Sequence, residues 1–309
     1  MTSPSVPNVS VVQPVESAIQ RVKDVLFRPF DFEKWIAIGF CAWLASFGGF
    51  GSSWGGGNNS SSGGKPDLDP AFRQAWDYTL QNLIWIIPLV IVLGGIAFAI
   101  WMVVLWLSSR GQFMLLHCVA HNRGEVGVPW KKYAREARSL WLFRLMLSLS
   151  WLAAILVVVA AGVAFAVGTG GHEPQMNPGL IGVLVVGVLS FICFCVLLLL
   201  IGSFTTQFVV PIMYQRGCTS LEGWRVLGGL VAANLGRFLV YLLFQMVLAI
   251  CIGCLVLLLI LCTCCIAGCL MLLPFVGAVV LLPITVFSRS YPLYYLAQYG
   301  SEYDVFLQP

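Results

Sequence analysis

The longest stretch without a charged residue runs from Phe238 to Ser288 and reads FLVYLLFQMVLAICIGCLVLLLILCTCCIAGCLMLLPFVGAVVLLPITVFS. Its 51 residues contain no Asp, Glu, Lys or Arg. As one helix it would be about 76 Å long, whereas the apolar core of a bilayer is about 30 Å thick. The stretch therefore predicts two membrane-spanning helices, with a turn between Leu261 and Gly268, where Thr263 and Gly268 interrupt the aliphatic residues.

The composition of the whole chain also points to a lipid environment. Of its 309 residues, 59% are hydrophobic and 10% are charged, whereas soluble domains average about 45–50% and about 25%. This composition excludes a water-soluble globular protein.

Four more apolar stretches upstream are candidates for membrane-spanning helices. The six predicted spans cover about residues 35–51, 84–107, 140–167, 179–204, 238–261 and 267–287. We expect Arg144, near the start of the third span, to snorkel back to the membrane surface. The predicted fold is all-α and polytopic, with six transmembrane helices in residues 34–289. An N-terminal tail with an interfacial helix (1–33) precedes this membrane domain, and a C-terminal tail (290–309) follows it.

Lysine and arginine are distributed unevenly between the two predicted sides of the membrane. Fifteen of the 17 basic residues flank the spans on one side, and only Lys65 and Arg73 lie on the other. Since cytoplasmic flanks are enriched in basic residues, both termini are predicted to be cytoplasmic. We expect the protein to be a multi-pass protein of the cell (inner or plasma) membrane.

Two loops on the basic side resemble each other. Each contains a Gln-Phe pair, then an Arg-Gly pair and then a Trp. These are Gln112-Phe113, Arg123-Gly124 and Trp130 in one loop, and Gln207-Phe208, Arg216-Gly217 and Trp224 in the other. Because each loop follows an even-numbered span, we interpret the spans as three helical hairpins joined by interfacial amphipathic helices. The alternative is that all inner loops share these residue types for interfacial reasons alone.

Cations and aromatic residues alternate in these loops, as is typical of segments that lie in the headgroup plane of a membrane. Membrane lipids, and possible partner membrane proteins, are therefore the expected partners, and nucleic acid is not. The candidate contacts with lipid headgroups are Arg110, Arg123, Lys131, Lys132, Arg135, Arg138, Arg216, Arg225 and Arg289.

No catalytic, nucleotide or cofactor motif is recognisable in the chain. It has no nucleophile elbow, zincin motif or Walker lysine, and these are the patterns that such chemistry requires. No charged residue is expected at the centre of a span, which argues against ion coupling. We therefore predict a protein that is not an enzyme, with no cofactor and no metal.

Two groups of potential metal ligands have a simpler interpretation. His117 and His121 stand four residues apart and would share one helix face, for which interfacial placement is favoured and a two-His metal site is the alternative. The cysteines between Cys251 and Cys269 are interpreted as small packing residues. A metal site and an outward-facing disulfide are the alternatives, the disulfide being formed among Cys262, Cys264, Cys265 and Cys269.

Two segments, Thr205 to Gly217 (TTQFVVPIMYQRG) and Cys264 to Phe306, resemble a known group of membrane proteins. The residues that carry the resemblance are Phe208, Val210, Pro211, Arg216, Gly217, Pro274, Pro283, Arg289, Tyr294, Gly300, Glu302 and Tyr303. The chain is similar to uncharacterised prokaryotic six-span integral membrane proteins classed as domains of unknown function. More distantly, it resembles the membrane domain attached to some glycerophosphoryl diester phosphodiesterases. The resemblance implies a fold and a location, and no established activity.

The leading functional hypothesis is a non-enzymatic membrane scaffold or accessory protein that acts through lipids or partner membrane proteins. The alternative is a transporter or scramblase for a neutral or amphipathic substrate. A water-accessible cavity would favour this alternative if it were lined by polar residues such as Thr205, Thr206, Gln207, Asn234 or Gln245.

Overall fold

The computed structural model describes residues 9–28, 30–46, 83–124, 126–168, 178–263, 268 and 273–306. Over these residues the chain is all-helical, without a strand. The α-helices are α1 (Gln13–Leu26), α2 (Phe32–Ser46), α3 (Leu83–His121), α4 (Gly127–Lys132), α5 (Ala134–Gly168), α6 (Pro178–Phe204), α7 (Val210–Arg216), α8 (Ser220–Ala233), α9 (Leu235–Cys262), α10 (Pro274–Val280) and α11 (Leu282–Ala297). A π-helix, Thr205–Val209, joins α6 to α7, and a short 3-10 helix, Ser301–Tyr303, follows α11.

Four of the described helical runs are long and apolar enough to cross a membrane. They are Pro88–His121, Ala134–Gly162, Val185–Arg216 and Leu235–Cys262. These runs correspond to the second, third, fourth and fifth predicted spans, which are thereby confirmed as candidate membrane helices.

The first and sixth predicted spans differ from these four. α2 has 15 residues, and residues 47–82 lie outside the described part of the chain. The sixth predicted span is divided at Leu281 between α10 and α11, since two prolines, Pro274 and Pro283, each stand in the first turn of a helix. The arrangement into three hairpins stays a prediction. It pairs the sixth span with the fifth, whereas α10, the first part of the sixth span, packs against α2.

The apolar arms are the parts of the long helices that lie far from the basic loops, residues 88–104, 146–162, 185–197 and 243–262. Most of their large side chains are exposed, among them Ile91, Val157, Val186 and Leu258. Contiguous apolar surface on this scale is unfavourable in water. The arms are therefore built for contact with lipid or with other apolar helices.

The buried side chains gather at the opposite ends of the same helices, in a region that we call the base. It comprises the end of α3, the start of α5, the π-helix and α7, and the start of α9, together with α1, α2, α8, α10 and α11. Fully buried aromatic rings lie at its centre: Phe208 of the π-helix, Phe238 and Tyr241 of α9, and Tyr291 and Tyr295 of α11. The ring centroids of Tyr241 and Tyr295 are 4.6 Å apart, close enough for the edge and face contacts that aromatic pairs prefer.

α1 closes the base by capping the end of α3. The Arg21 guanidinium donates to the carbonyl oxygens of Val119, at 2.7 and 3.0 Å, and of Ala120. A cation at this position satisfies carbonyl groups that have no partner within the helix and opposes the negative end of its dipole. Burial lowers the pKa of Arg21.

The C-terminal segment is part of the base rather than a tail. We expected a tail from residue 290, but Tyr291, Leu293, Tyr295 and Leu296 are buried. Sequence hydropathy misses this because tyrosines interrupt the apolar pattern, whereas their rings fill the core and their hydroxyls find partners. Tyr291, for example, donates to the carbonyl of Val11 at 3.1 Å.

α8 begins with a local cap. The backbone N–H of Thr219 donates to Glu222 Oε2 at 2.8 Å, which is the capping-box arrangement. This backbone hydrogen bond holds the pKa of Glu222 below its ordinary value.

A glycine allows α2 and α3 to approach each other closely. A Cβ on Gly111 of α3 would lie 2.7 Å from the backbone N of Ala45 and 2.8 Å from the carbonyl C of Leu44. Because the obstructing atoms belong to the backbone, a side chain at this position would push the two helices apart.

We therefore predict that Gly111→Ala lowers the stability of the protein by about 1–3 kcal/mol, the usual cost of overpacking. Gly94→Ala is the matched control on the same helix, because no atom lies within 4 Å of its added Cβ. The unfolding midpoints of both variants are measured by heating them in detergent and following the folded fraction by fluorescence-detected size exclusion. Equal midpoints for the two variants would contradict the close contact.

Candidate functional site

The segment from Trp130 to Trp141 has a buried face and a cationic face. α4 and the first turns of α5 bury Tyr133, Ala137 and Leu140, whose spacing places them on one side of a helix. The opposite side carries four exposed cations: Lys131, Lys132, Arg135 and Arg138. The expected amphipathic pattern is therefore present in the structure.

Three further candidate contacts, Arg123, Arg216 and Arg225, are also exposed. Arg216 forms an ion pair with Glu302, with Nη2 and Oε2 2.8 Å apart, and its guanidinium lies over the ring of Tyr303. Seven of the nine predicted residues thus lie on the surface of the base.

Arg110 is held between two tryptophans. Its guanidinium carbon lies 4.6 Å from the Trp106 ring centroid and 4.7 Å from that of Trp130, and it donates to the Trp130 carbonyl at 3.2 Å. Cation–π contacts of this kind retain the charge near the surface while holding the side chain in one position.

Arg289 differs from the other candidates, because its guanidinium points into the base. It donates to the carbonyl oxygen of Thr206 at 3.1 Å and to Gln112 Oε1. The side chain of Arg289 is therefore engaged with the protein interior.

Arg144 lies in the same interior cluster, and the expectation that it would snorkel to the surface is wrong. Only 7% of the residue is exposed. Its guanidinium donates to Ser108 Oγ at 3.3 Å and to Thr206 Oγ1 at 3.4 Å. Both acceptors lie on neighbouring helices, and their positions could not be inferred from the spacing of residues along α5.

Gln112 connects this cluster to α2. Its Nε2 donates to the carbonyl oxygen of Ala45 at 2.8 Å, and its Oε1 accepts from Arg289. The Ser108 hydroxyl donates to the same carbonyl at 3.2 Å. We call the group Gln112, Arg144, Thr206 and Arg289 the buried arginine cluster.

The π-helix places Thr206 between the two arginines. Its hydroxyl donates to the carbonyl of Gly202 at 3.0 Å while accepting from Arg144, and its carbonyl accepts from Arg289. Such widened helical turns are frequent at functional sites. Gln112 and Thr206 are both buried, so that polar side chains lie within the interior of the base.

The two similar loops make corresponding contacts. The Trp130 ring packs on Arg110, two residues before Gln112. Trp224 Nε1 donates to the hydroxyl of Thr205, two residues before Gln207, at 3.2 Å. This correspondence supports a common structural role for the two blocks.

His117 and His121 both face a tyrosine. Tyr214 Oη lies 2.9 Å from His117 Nδ1 and 3.4 Å from His121 Nδ1, and the two imidazole rings stack at 4.3 Å. Among the described residues, no group of three or more His, Cys, Asp or Glu side chains is arranged to hold a metal ion. Glu125, four residues after His121, lies outside the described residues. So do Cys264, Cys265 and Cys269, three of the four cysteines named for the alternative of a disulfide.

Over the residues that the structure describes, the apolar arms and the cationic base define an all-helical membrane-type protein with four candidate membrane-spanning helices. Within that class, the chain belongs to a family of unknown function, DUF7544, which matches residues 9–282. No curated protein and no solved structure matches the chain. Nothing links it to the membrane domains of glycerophosphoryl diester phosphodiesterases.

We predict that Gln112→Leu destabilises the protein by roughly 2–3 kcal/mol, because it removes a hydrogen bond to a buried guanidinium. Gln20→Leu, at an exposed position of α1, is the control for the change of side chain and should have little effect. The measurement is the midpoint of thermal unfolding in detergent. A Gln112→Leu protein as stable as the Gln20→Leu protein would show that the cluster does not hold the base together.

Proposed function

We propose that this chain is a non-enzymatic scaffold or accessory protein of the cell membrane that acts through anionic lipid headgroups and partner membrane proteins. The observation that carries this proposal is the position of the exposed cations. Lys131, Lys132, Arg135 and Arg138 lie on the base, directly before the point where exposed residues of α5 become apolar at Leu142 and beyond.

This arrangement suits the inner surface of a membrane. An apolar arm is stable in the hydrocarbon region, and cations next to it are then at the depth of the phosphate groups. Near an anionic membrane surface, each Lys or Arg contributes on the order of 1 kcal/mol to lipid attraction. The exposed cations of α4, α5 and α8 would therefore enrich anionic lipid around the base.

The topology that belongs to this proposal has six spans and two cytoplasmic termini. The first span would begin in α2, and α10 with the start of α11 would form the sixth. The distribution of lysine and arginine supports the orientation, because the basic loops and the base coincide.

Glycines on the arms support contact with partner membrane proteins. Gly94, Gly95, Gly162 and Gly187 have open space where a Cβ would lie. Glycine at an open helix surface allows a neighbouring transmembrane helix to approach closely. The arms therefore offer surfaces for helices of another protein or of a second copy.

The alternative of a transporter or scramblase lacks a supporting cavity of substrate size at the residues expected to line one. Thr205 and Thr206 border a cavity of only about 10 Å³, which is room for about one water molecule. Gln207 is engaged with Tyr241, whose hydroxyl donates to its Oε1 at 2.8 Å.

The proposal predicts that Lys131→Gln with Lys132→Gln lowers the preference for anionic lipid. The expected loss is up to roughly thirtyfold in the binding constant of phosphatidylglycerol relative to phosphatidylcholine, since each of the two cations contributes about 1 kcal/mol. Quenching of tryptophan fluorescence by brominated forms of the two lipids measures this ratio.

The matched control is Lys65→Gln with Arg73→Gln, which removes the same charge from the predicted outer side. It should leave the ratio at the inner surface unchanged, and raising the salt concentration should reduce the wild-type preference. An unchanged ratio in the Lys131 and Lys132 variant would exclude these residues as the source of lipid selectivity.

The proposed topology predicts a cytoplasmic C-terminus. Green fluorescent protein fused after Pro309 should fluoresce, and alkaline phosphatase at the same position should be inactive, because each reporter matures on one side of the bacterial inner membrane. Strong phosphatase activity with a dark fluorescent fusion would reverse the orientation.

A further inference from the structure

Two guanidinium groups lie within the base without a carboxylate. Arg144 binds two hydroxyl groups, and Arg289 binds a carbonyl and a side-chain amide. Among the residues that the structure describes, neither arginine forms an ion pair. Both instead share Thr206, so that two positive charges lie on either side of one residue.

This arrangement is electrostatically unfavourable by itself. Arginine remains charged in proteins, and a buried charge is expensive unless an opposite charge compensates it. Neutral hydroxyl and amide acceptors satisfy some N–H donors but do not cancel the net charge. The cluster therefore favours an anion as its counterpart.

Among the polar groups around Arg144, the guanidinium is the one that can donate hydrogen bonds to such an anion. The hydroxyls of Thr205 and Thr206 donate to the carbonyls of Ile201 at 2.6 Å and Gly202 at 3.0 Å. They therefore act only as acceptors toward other groups. Arg144 makes two long hydrogen bonds and retains N–H donors in the planar geometry that suits phosphate oxygens.

A small cavity leads to this guanidinium. It has a volume of about 10 Å³ and is lined by Arg144, Thr205, Thr206, Gly202 and the apolar side chains of Leu105, Phe143 and Leu147. This volume admits one atom of the size of an oxygen, so that one oxygen of an oxyanion can reach the guanidinium.

The cavity lies just on the apolar side of the boundary between the cationic and the apolar surface of α5. On α5 the exposed side chains are cationic at Arg135 and Arg138, and apolar at Leu142 and Met146, which are 49% and 74% exposed. Arg144 lies between these last two residues. The apolar wall of Phe143 and Leu147 is also a suitable surface for an acyl chain.

We propose that Arg144, supported by Arg289, binds a phosphate-class anion in this cavity, with the phosphate group of a phospholipid as its source. The site is separate from the exposed cations of the proposed function. It takes one anion in a defined position, whereas the surface cations attract many lipids through a salt-dependent field.

The test is a titration of the delipidated full-length protein with phosphatidylglycerol, followed by native mass spectrometry in a neutral detergent. The wild type should bind one lipid per chain saturably, at a salt concentration that suppresses surface binding. In Arg144→Gln the affinity should fall at least about tenfold, as expected for the loss of a charge-assisted hydrogen bond. Arg28→Gln, an exposed arginine outside the candidate lipid contacts, is the matched control and should bind like the wild type.

Inorganic phosphate distinguishes the two sources of the anion. If it displaces the lipid at millimolar concentration and binds by itself, the site accepts phosphate chemistry without requiring a lipid. If it does neither while phosphatidylglycerol binds, the lipid is the ligand. Chloride at the same concentration should not compete in either case.

Arg144→Lys is a second variant for the case that Arg144→Gln does not fold. It keeps the positive charge and loses the planar donor geometry. Its affinity should lie between those of the wild type and Arg144→Gln. A wild-type protein without a saturable site for lipid or phosphate would overturn the proposal, as would Arg144→Gln binding as tightly as the wild type. Loss of surface lipid preference in the Lys131 and Lys132 variant would leave this result unaffected.

Discussion

A chain of hydrogen bonds that passes through Gln112 holds the base together. Gln112 joins the carbonyl of Ala45 in α2 to Arg289 in α11, Arg289 continues to Thr206 in the π-helix, and Thr206 accepts from Arg144 in α5. In surroundings of low dielectric constant, such bonds are strong and their absence is costly. The relative positions of α2, α3, α5, α11 and the π-helix thus depend on a polar network within an otherwise apolar protein.

The long apolar helices could be predicted from the sequence because their cause is local. A run of apolar residues in α3, α5, α6 or α9 has to satisfy its backbone within one helix wherever it meets lipid. The amphipathic face of Tyr133, Ala137 and Leu140 was predictable for the same reason, since it depends only on the helical period. The division of the sixth span into α10 and α11 was harder to predict, because a proline such as Pro283 can either kink a helix or end it.

The buried arginine cluster could not be predicted, because its members come together only in the folded chain. An arginine near the end of an apolar run, such as Arg144, snorkels when its neighbours are lipid and turns inward when they are hydroxyl groups. Gln112 was recognised as part of a repeated block and Arg289 as a candidate headgroup contact, yet their 177-residue separation hides the contact between them. The polar residues of the π-helix carry the only local signal, since Thr205, Thr206 and Gln207 interrupt an apolar helix without ending it.

The two ends of the described chain meet, with consequences for biosynthesis. Ser10 and Gln298 exchange two hydrogen bonds although they are 288 residues apart, and α1 packs along α11. A chain synthesised from its N-terminus makes α1 first and its partner last. During elongation the apolar side of α1, around Ala18, is therefore without its cover. We therefore expect the base to close only after α11 has been made, and the apolar side of α1 to be accessible to proteases and chaperones until then.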